Sequence, residues 1–279
     1  MMSLAHTRRG VAIVDGVLFC LIALSGPFTS LAAAPATPAH AQTPSSPGPA
    51  SPMIILVGFV GGFVRSNDDR HPEVQIVQRL SEEDAPKLHA MVFENRHRAK
   101  AREKILRWLG TDGDGHLSAQ ERQDARIILF GHSWGGSAAI KLARDLDRRG
   151  IPVLLTIQVD SVNKGWGDDC VIPDNVGQAV NFYQTRGPVH GCRAIRAADP
   201  HRTRILGNYR FEYSAQPARC HSYPWFDRHF FKTHNAMGCD PVVWAQVEDE
   251  IRERLRSSTD FQEVQGTRPL VTNVVNGKH

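Results

Sequence analysis

Ser133 is the residue whose neighbours best suit it to act as a nucleophile. It lies in Gly131-His132-Ser133-Trp134-Gly135-Gly136. A Gly-x-Ser-x-Gly spacing fits a serine on a sharp strand-to-helix turn, where flanking side chains would collide with the elements on either side. Such a turn lifts Oγ out of a sheet and sets it beside a helix N-terminus, whose N–H groups and dipole favour negative charge. A hydroxyl is a weak nucleophile until a base takes its proton, and the base needs an acid to orient it. Asp160, in Val159-Asp160-Ser161, is the expected acid; Asp199 is its main rival and Asp169 a weaker one. Among His221, His229 and His234, the expected base is His234, nearest the start of the C-terminal helix. The chemistry would be acyl transfer through a covalent intermediate. Each residue also has a plainer explanation: a glycine-rich turn, a turn-capping aspartate, a packing histidine.

The elements needed to position these groups are legible around them. Arg126–Phe130 is an apolar strand ahead of the turn. Ser137–Arg149 reads as a helix with Ala139, Leu142 and Leu146 on one face, ended by Gly150. Residues 152–159, PVLLTIQV, form a second buried strand that closes in Asp160. This strand-turn-helix-strand run implies a parallel sheet, and such sheets place their sites at the carboxyl ends of strands. Upstream, 53–60 (MIILVGFV) has the length and continuous apolar character of a strand buried on both faces, broken by Gly61-Gly62. Leu88–Phe93 reads as a strand and Asn95–Leu109 as a basic amphipathic helix. Ser118 with Glu121 three residues on makes a capping box that opens a short helix. Beyond a loop-rich stretch at 162–179, Val180–Gln184 and Ile205–Tyr213 are further strands. Pro241–Leu255 is a terminal helix, with Val243, Val247, Ile251 and Leu255 at four-residue spacing.

The whole chain sets the bounds. Its 279 residues are 41% hydrophobic and 22% charged, an ordinary globular composition that excludes a disordered, collagen-like or coiled-coil protein. Its net charge of +4 is spread along the chain with no basic block, so nucleic acid is not an expected partner. Arg8 and Arg9, the apolar run Val11–Leu24 and the closing Ala39-His40-Ala41 read as a cleaved export signal over 1–41, with a membrane anchor as the alternative. The apolar run is short for a span, and no stable membrane span is expected after cleavage. Residues 42–52, QTPSSPGPASP, are a linker; 53–257 form the domain and 258–279 a polar tail. Cleavage removes Cys20 and leaves Cys170, Cys192, Cys220 and Cys239, an even number that suits a secreted or periplasmic protein. None has CxxC spacing. Pairing 170–192 and 220–239 is expected because each bridge closes a short loop.

On the GHSWGG turn, the acid after the next strand and the order Ser, Asp, His, the chain resembles an α/β-hydrolase of the lipase, esterase and thioesterase kind, over roughly 53–256. That resemblance implies a mostly parallel central sheet flanked by helices in a single compact domain. It implies a serine hydrolase cleaving a small-molecule or lipid-like acyl ester or thioester, with no cofactor required. Gly58-Phe59-Val60-Gly61-Gly62 stands where such proteins supply an oxyanion loop, so Phe59 or Val60, with Trp134, is the expected pair of backbone donors. A hydrolase-fold protein that binds a ligand without catalysis is the alternative.

Residues 110–121 resemble an EF-hand calcium loop. Asp112 falls at position three, Asp114 at five, Gly115 at six, and Glu121 at twelve, where a bidentate carboxylate closes the cage. His116 would give its carbonyl and Ser118 a hydroxyl or a water bridge. Gly110 stands where an aspartate is expected, so the resemblance implies weak, structural calcium.

Overall fold

A computed structural model of the chain describes residues 53–84, 87–110, 116–165, 167–214, 220, 222–223 and 231–266, all within one compact unit, Pro49–His279. The expected export signal (1–41), the expected linker, Asp112, Asp114, His221, His229 and residues 267–279 lie outside these residues.

Among these residues six strands make one sheet: β1 (Ile54–Val60), β2 (Leu88–Glu94), β3 (Arg126–His132), β4 (Val153–Val159), β6 (Val176–Tyr183) and β8 (Arg204–Arg210). Their order is β2-β1-β3-β4-β6-β8, and every neighbouring pair is parallel. A further parallel pair, β5 (Val171–Ile172) and β7 (Arg196–Ala197), stands apart. Parallel pairing forces each connection to cross over, and the crossovers lay helices on both faces.

Strand alternation assigns those faces. Ile55, Val57 and Phe59 of β1 point one way, into a core with Ile127, Leu129 and the apolar sides of α2 (Arg98–Leu109) and α4 (Trp134–Asp147). Ile54 and Leu56 point the other way, with Ile128, Phe130, Ile157 and Phe182, against α1 (Pro72–Glu83), α5 (Lys232–Gly238) and α6 (Pro241–Gly266). Leu142 and Leu146 of α4 and Val247 and Ile251 of α6 are fully buried, which stabilises by roughly 1.5–3 kcal/mol per side chain.

Several boundaries differ from expectation: β6 begins at Val176 rather than Val180, inside the stretch expected to be loop, and β8 ends at Arg210 rather than Tyr213. The helix expected from 95 begins after a 3-10 turn, Asn95–His97, and the elbow helix starts at Trp134, directly behind Ser133. Helix α6 continues to Gly266, past the domain end placed at 257. Among the described residues two helices were not expected. In α1, Pro72 occupies the first turn, where its missing N–H costs nothing, and Val74, Ile76, Val77 and Leu80 are buried. Helix α5 carries His234.

The cysteines pair as expected, Cys170 with Cys192 and Cys220 with Cys239, at Cα–Cα separations of 5.7 and 5.8 Å that suit a bridge. Among the described residues no helix is long and apolar enough to cross a membrane.

Candidate active site

Strand β3 ends at His132 and α4 begins at Trp134, so Ser133 alone makes the turn, at φ 56°, ψ −125°. Such a conformation costs a non-glycine residue about 1–3 kcal/mol and persists only when its surroundings hold it. Here they do. Ser133 N–H donates to the Val159 carbonyl at 3.0 Å, and Val162 N–H donates to the Ser133 carbonyl at 3.1 Å. The glycines are there for space. A Cβ on Gly131 would stand 2.5 Å from the Phe59 carbonyl oxygen, one on Gly135 closer still, and one on Gly136 2.7 Å from the Ser161 Cβ.

Ser133 Oγ lies 2.8 Å from His234 Nε2, and His234 Nδ1 lies 2.7 Å from Asp160 Oδ2. The three residues come from the end of β3, from α5 and from the end of β4. Asp160 is wholly buried, so its carboxylate needs hydrogen bonds in place of water. It has three: His234 Nδ1–H, Gln184 Nε2 at 2.8 Å on the same oxygen, and Gly191 N–H at 2.6 Å on Oδ1. Gly191 approaches so closely that a Cβ there would stand 2.6 Å from Ser161 N. Its neighbour Cys192 ties that loop to Cys170. Gln184 and Gly191 were missed from the sequence; the only hints were a polar residue closing a strand and a glycine beside a bridging cysteine.

Below the serine lies a second buried layer. His132 Nε2 is 3.2 Å from the carbonyl oxygen of His234, Tyr223 Oη is 3.1 Å from His132 Nδ1, and the His132 and His234 rings stack at 4.6 Å. Burial, reinforced by the adjacent His234, holds His132 well below the usual histidine range. Burial also lowers His71, whose ring meets Tyr223 edge-on at 5.0 Å. Glu73 of α1 is buried with no ion-pair partner among the described residues, and burial pushes its carboxyl up to about 8 against the pull of its own N–H and that of His132. Nothing in the sequence marked it beyond a charged residue one place after Pro72.

A cleft of about 980 Å³ opens over Ser133 and His234. Val162, Val189 and Phe231 give it apolar wall, and at its mouth Phe63 meets Trp134 edge-on at 5.5 Å. Phe59 and Val60, the expected oxyanion residues, are not on the cleft: both are fully buried inside β1. Gly61, Gly62 and Phe63 line it instead, and a Cβ on Gly61 would stand 3.1 Å from the Ser133 Cβ. The strand runs to Val60 before the chain turns, so the loop facing the serine comes slightly later than its sequence position implied. Asn95 braces that loop, its Nδ2 donating to the Gly62 carbonyl at 2.6 Å and the Val60 carbonyl at 3.3 Å. Trp134 opens α4, where the first N–H groups have no helical partner.

The rival acids lie elsewhere. Asp199 makes a turn ahead of β8, accepting from His201 N–H at 2.9 Å, at the end of the sheet away from Ser133. Asp169 faces Arg144 at 3.9 Å. In the part of the calcium-loop segment that is described, Ser118 and Glu121 form the expected capping box of α3 (Ala119–Gln123), with Glu121 Oε2 2.9 Å from both Ser118 N and Oγ. The carboxylate that would close a calcium cage is thus engaged in helix capping.

No family model matches the chain, and no curated protein is similar to it in sequence. Among solved structures the chain is similar to the NocB thioesterase domain, crystallised as a covalent complex with a fluorophosphonate nocardicin G analogue, at 14% identity over 72% of this chain and 94% of that one, TM-score 0.35. It is similar to a dienelactone hydrolase-like promiscuous phosphotriesterase from metagenomic libraries, at 16% identity over 66% and 85%, TM-score 0.32. A cutinase-like protein from Cryptococcus sp. is also similar, at 11% identity over 72% and 96%, TM-score 0.29. The fold is α/β-hydrolase-like. The parallel sheet and the serine turn between β3 and α4 make it so.

Proposed function

We propose that the protein is an exported serine hydrolase that cleaves a carboxylic ester or thioester through an acyl-enzyme. The observation that carries this reading is the continuous hydrogen-bonded run from Ser133 Oγ through His234 to a buried, triply satisfied Asp160, open to a cleft on the serine side. Ser133 attacks the carbonyl carbon as His234 Nε2 takes its proton; the imidazolium then returns the proton to the leaving alkoxide or thiolate. Asp160 keeps Nδ1 protonated and stabilises the imidazolium. Trp134 N–H, with an N–H from the Gly61-Gly62-Phe63 loop, receives the developing oxyanion. Water then enters and the same base returns free Ser133 and the acid.

Two disulfides favour an oxidising compartment, secreted or periplasmic. Calcium at 110–121 is proposed as a weak structural ligand that must compete with the Ser118–Glu121 box and takes no part in the chemistry. The test is turnover of a short aryl ester and a matched acyl thioester by the mature protein. Hydrolysis abolished by Ser133→Ala, with the fold intact, supports the reading. Hydrolysis unchanged in that variant would rule out Ser133 as the nucleophile, and none with either substrate in the wild type favours a binding protein.

A further inference from the structure

The base is held in place from two sides, and Asp160 is only one of them. A backbone carbonyl can only accept, so the contact between His132 Nε2 and the His234 carbonyl oxygen requires the proton to sit on Nε2. His132 is neutral in its buried setting, so Nδ1 is bare, and the Tyr223 hydroxyl, 3.1 Å away, must be its donor. Tyr223 O–H thus fixes which nitrogen of His132 carries the proton, and that nitrogen grips the backbone of the residue that bears the base. We infer that Tyr223 and His132 are positioning residues for catalysis, a hydrogen-bond chain that locks His234 over Ser133 independently of Asp160; the inference rests on the serine-hydrolase reading of the site.

Three observations make the chain more than incidental packing. Tyr223 and His234 lie within the loop that Cys220–Cys239 closes, so the bridge tethers donor and base to one another. A Cβ on Gly238, one turn beyond His234, would stand 2.6 Å from Tyr223 Oη and 2.8 Å from His132 Cε1, so only glycine lets α5 sit close enough to be gripped. The stacked His132 ring must also stay uncharged when His234 becomes an imidazolium beside it. Among the described residues, His71 and Glu73 beside it are both shifted by burial toward their neutral forms.

The role predicts an effect on kcat more than on KM, because what is lost is alignment of the base with the serine. Tyr223→Phe and His132→Leu should each lower kcat by about 10- to 100-fold, the scale of a small misplacement of a reacting group. His132→Gln, which keeps a side-chain N–H able to reach the His234 carbonyl, should recover most of that loss. Nitrogen-15 NMR of the wild type should show His132 as a neutral ring protonated on Nε2 from pH 5.5 to 8. His132→Leu and His132→Gln with equal kcat would overturn the proposal. So would a His132 protonated on Nδ1, a measurement that decides even where a variant fails to fold. Failure of the underlying reading is distinguishable, because there the wild type itself would not be acylated on Ser133.

Discussion

Glu73 gives the sharpest quantitative test of the structure. Its carboxyl lies at the N-terminus of α1, where a negative charge gains about 0.3–1 kcal/mol from the helix dipole. Burying that charge costs more, and its pKa rises from 4.5 to about 8. At about 1.4 kcal/mol per pH unit, that rise corresponds to about 5 kcal/mol between the two protonation states. The sign follows from proton counts. Between 4.5 and 8 the folded protein holds a proton on Glu73 that the unfolded chain has released, so this group's contribution is fully present in acid and declines as pH rises, levelling off above about 8. Glu73→Gln, which has nearly the same shape and no charge to bury, should match the wild type closely near pH 4.5. It should become progressively more stable than the wild type toward pH 8.5, approaching about 5 kcal/mol. Urea unfolding of both proteins at pH 4.5, 6.5 and 8.5 measures this directly, and using the difference cancels every other titrating group to first order. A difference constant across pH, or one that grows in favour of the wild type as pH rises, would refute the reasoning.

Further predictions concern the acid, the bridges and the calcium loop. Asp160→Asn should lower kcat by about 10³- to 10⁴-fold because the imidazole is then held in the wrong tautomer, whereas Asp199→Asn should leave activity within about twofold; the reverse result would move the acid. Denaturing alkylation of the mature protein should find no free thiol, and peptide mapping should join Cys170 to Cys192 and Cys220 to Cys239. Each loop of about twenty residues is worth roughly 3 kcal/mol, so removing either bridge should lower the melting temperature measurably. Thermal melts in millimolar calcium and in chelator should differ for the wild type, differ more for Gly110→Asp and coincide for Glu121→Gln; coincidence in all three would make 110–121 an ordinary turn.

What the sequence revealed followed from how local each signal was. The turn at Ser133 was legible because glycine crowding and strand-helix flanks lie within a few residues of it. Asp160 was legible because it closes the very next strand. His234 required a choice among three histidines, since α5 has only seven residues and no apolar period of its own to announce it. The partners of Asp160, Gln184 and Gly191, were invisible because they reach it across the sheet from β6 and the loop beyond, where sequence distance says nothing of proximity. The loop lining the cleft is Gly61-Gly62-Phe63, one step past the expected Phe59 and Val60, because an apolar run does not say where a strand stops pairing and the chain begins to turn. Helix α1 has its start and face in Pro72, Val74, Val77 and Leu80. Its charged Glu73, in a position that turned out to be buried, obscured the pattern.

The central claim is that Ser133 is activated by His234, and active-site labelling tests it most directly. A fluorophosphonate probe, followed by intact mass and peptide mapping, should give the wild type one adduct, on Ser133, and Ser133→Ala none. His234→Ala should label more slowly by a factor on the order of 10³, with its fold unchanged. An unlabelled wild type, an adduct on another residue, or a His234→Ala variant that labels as fast as the wild type would contradict the account.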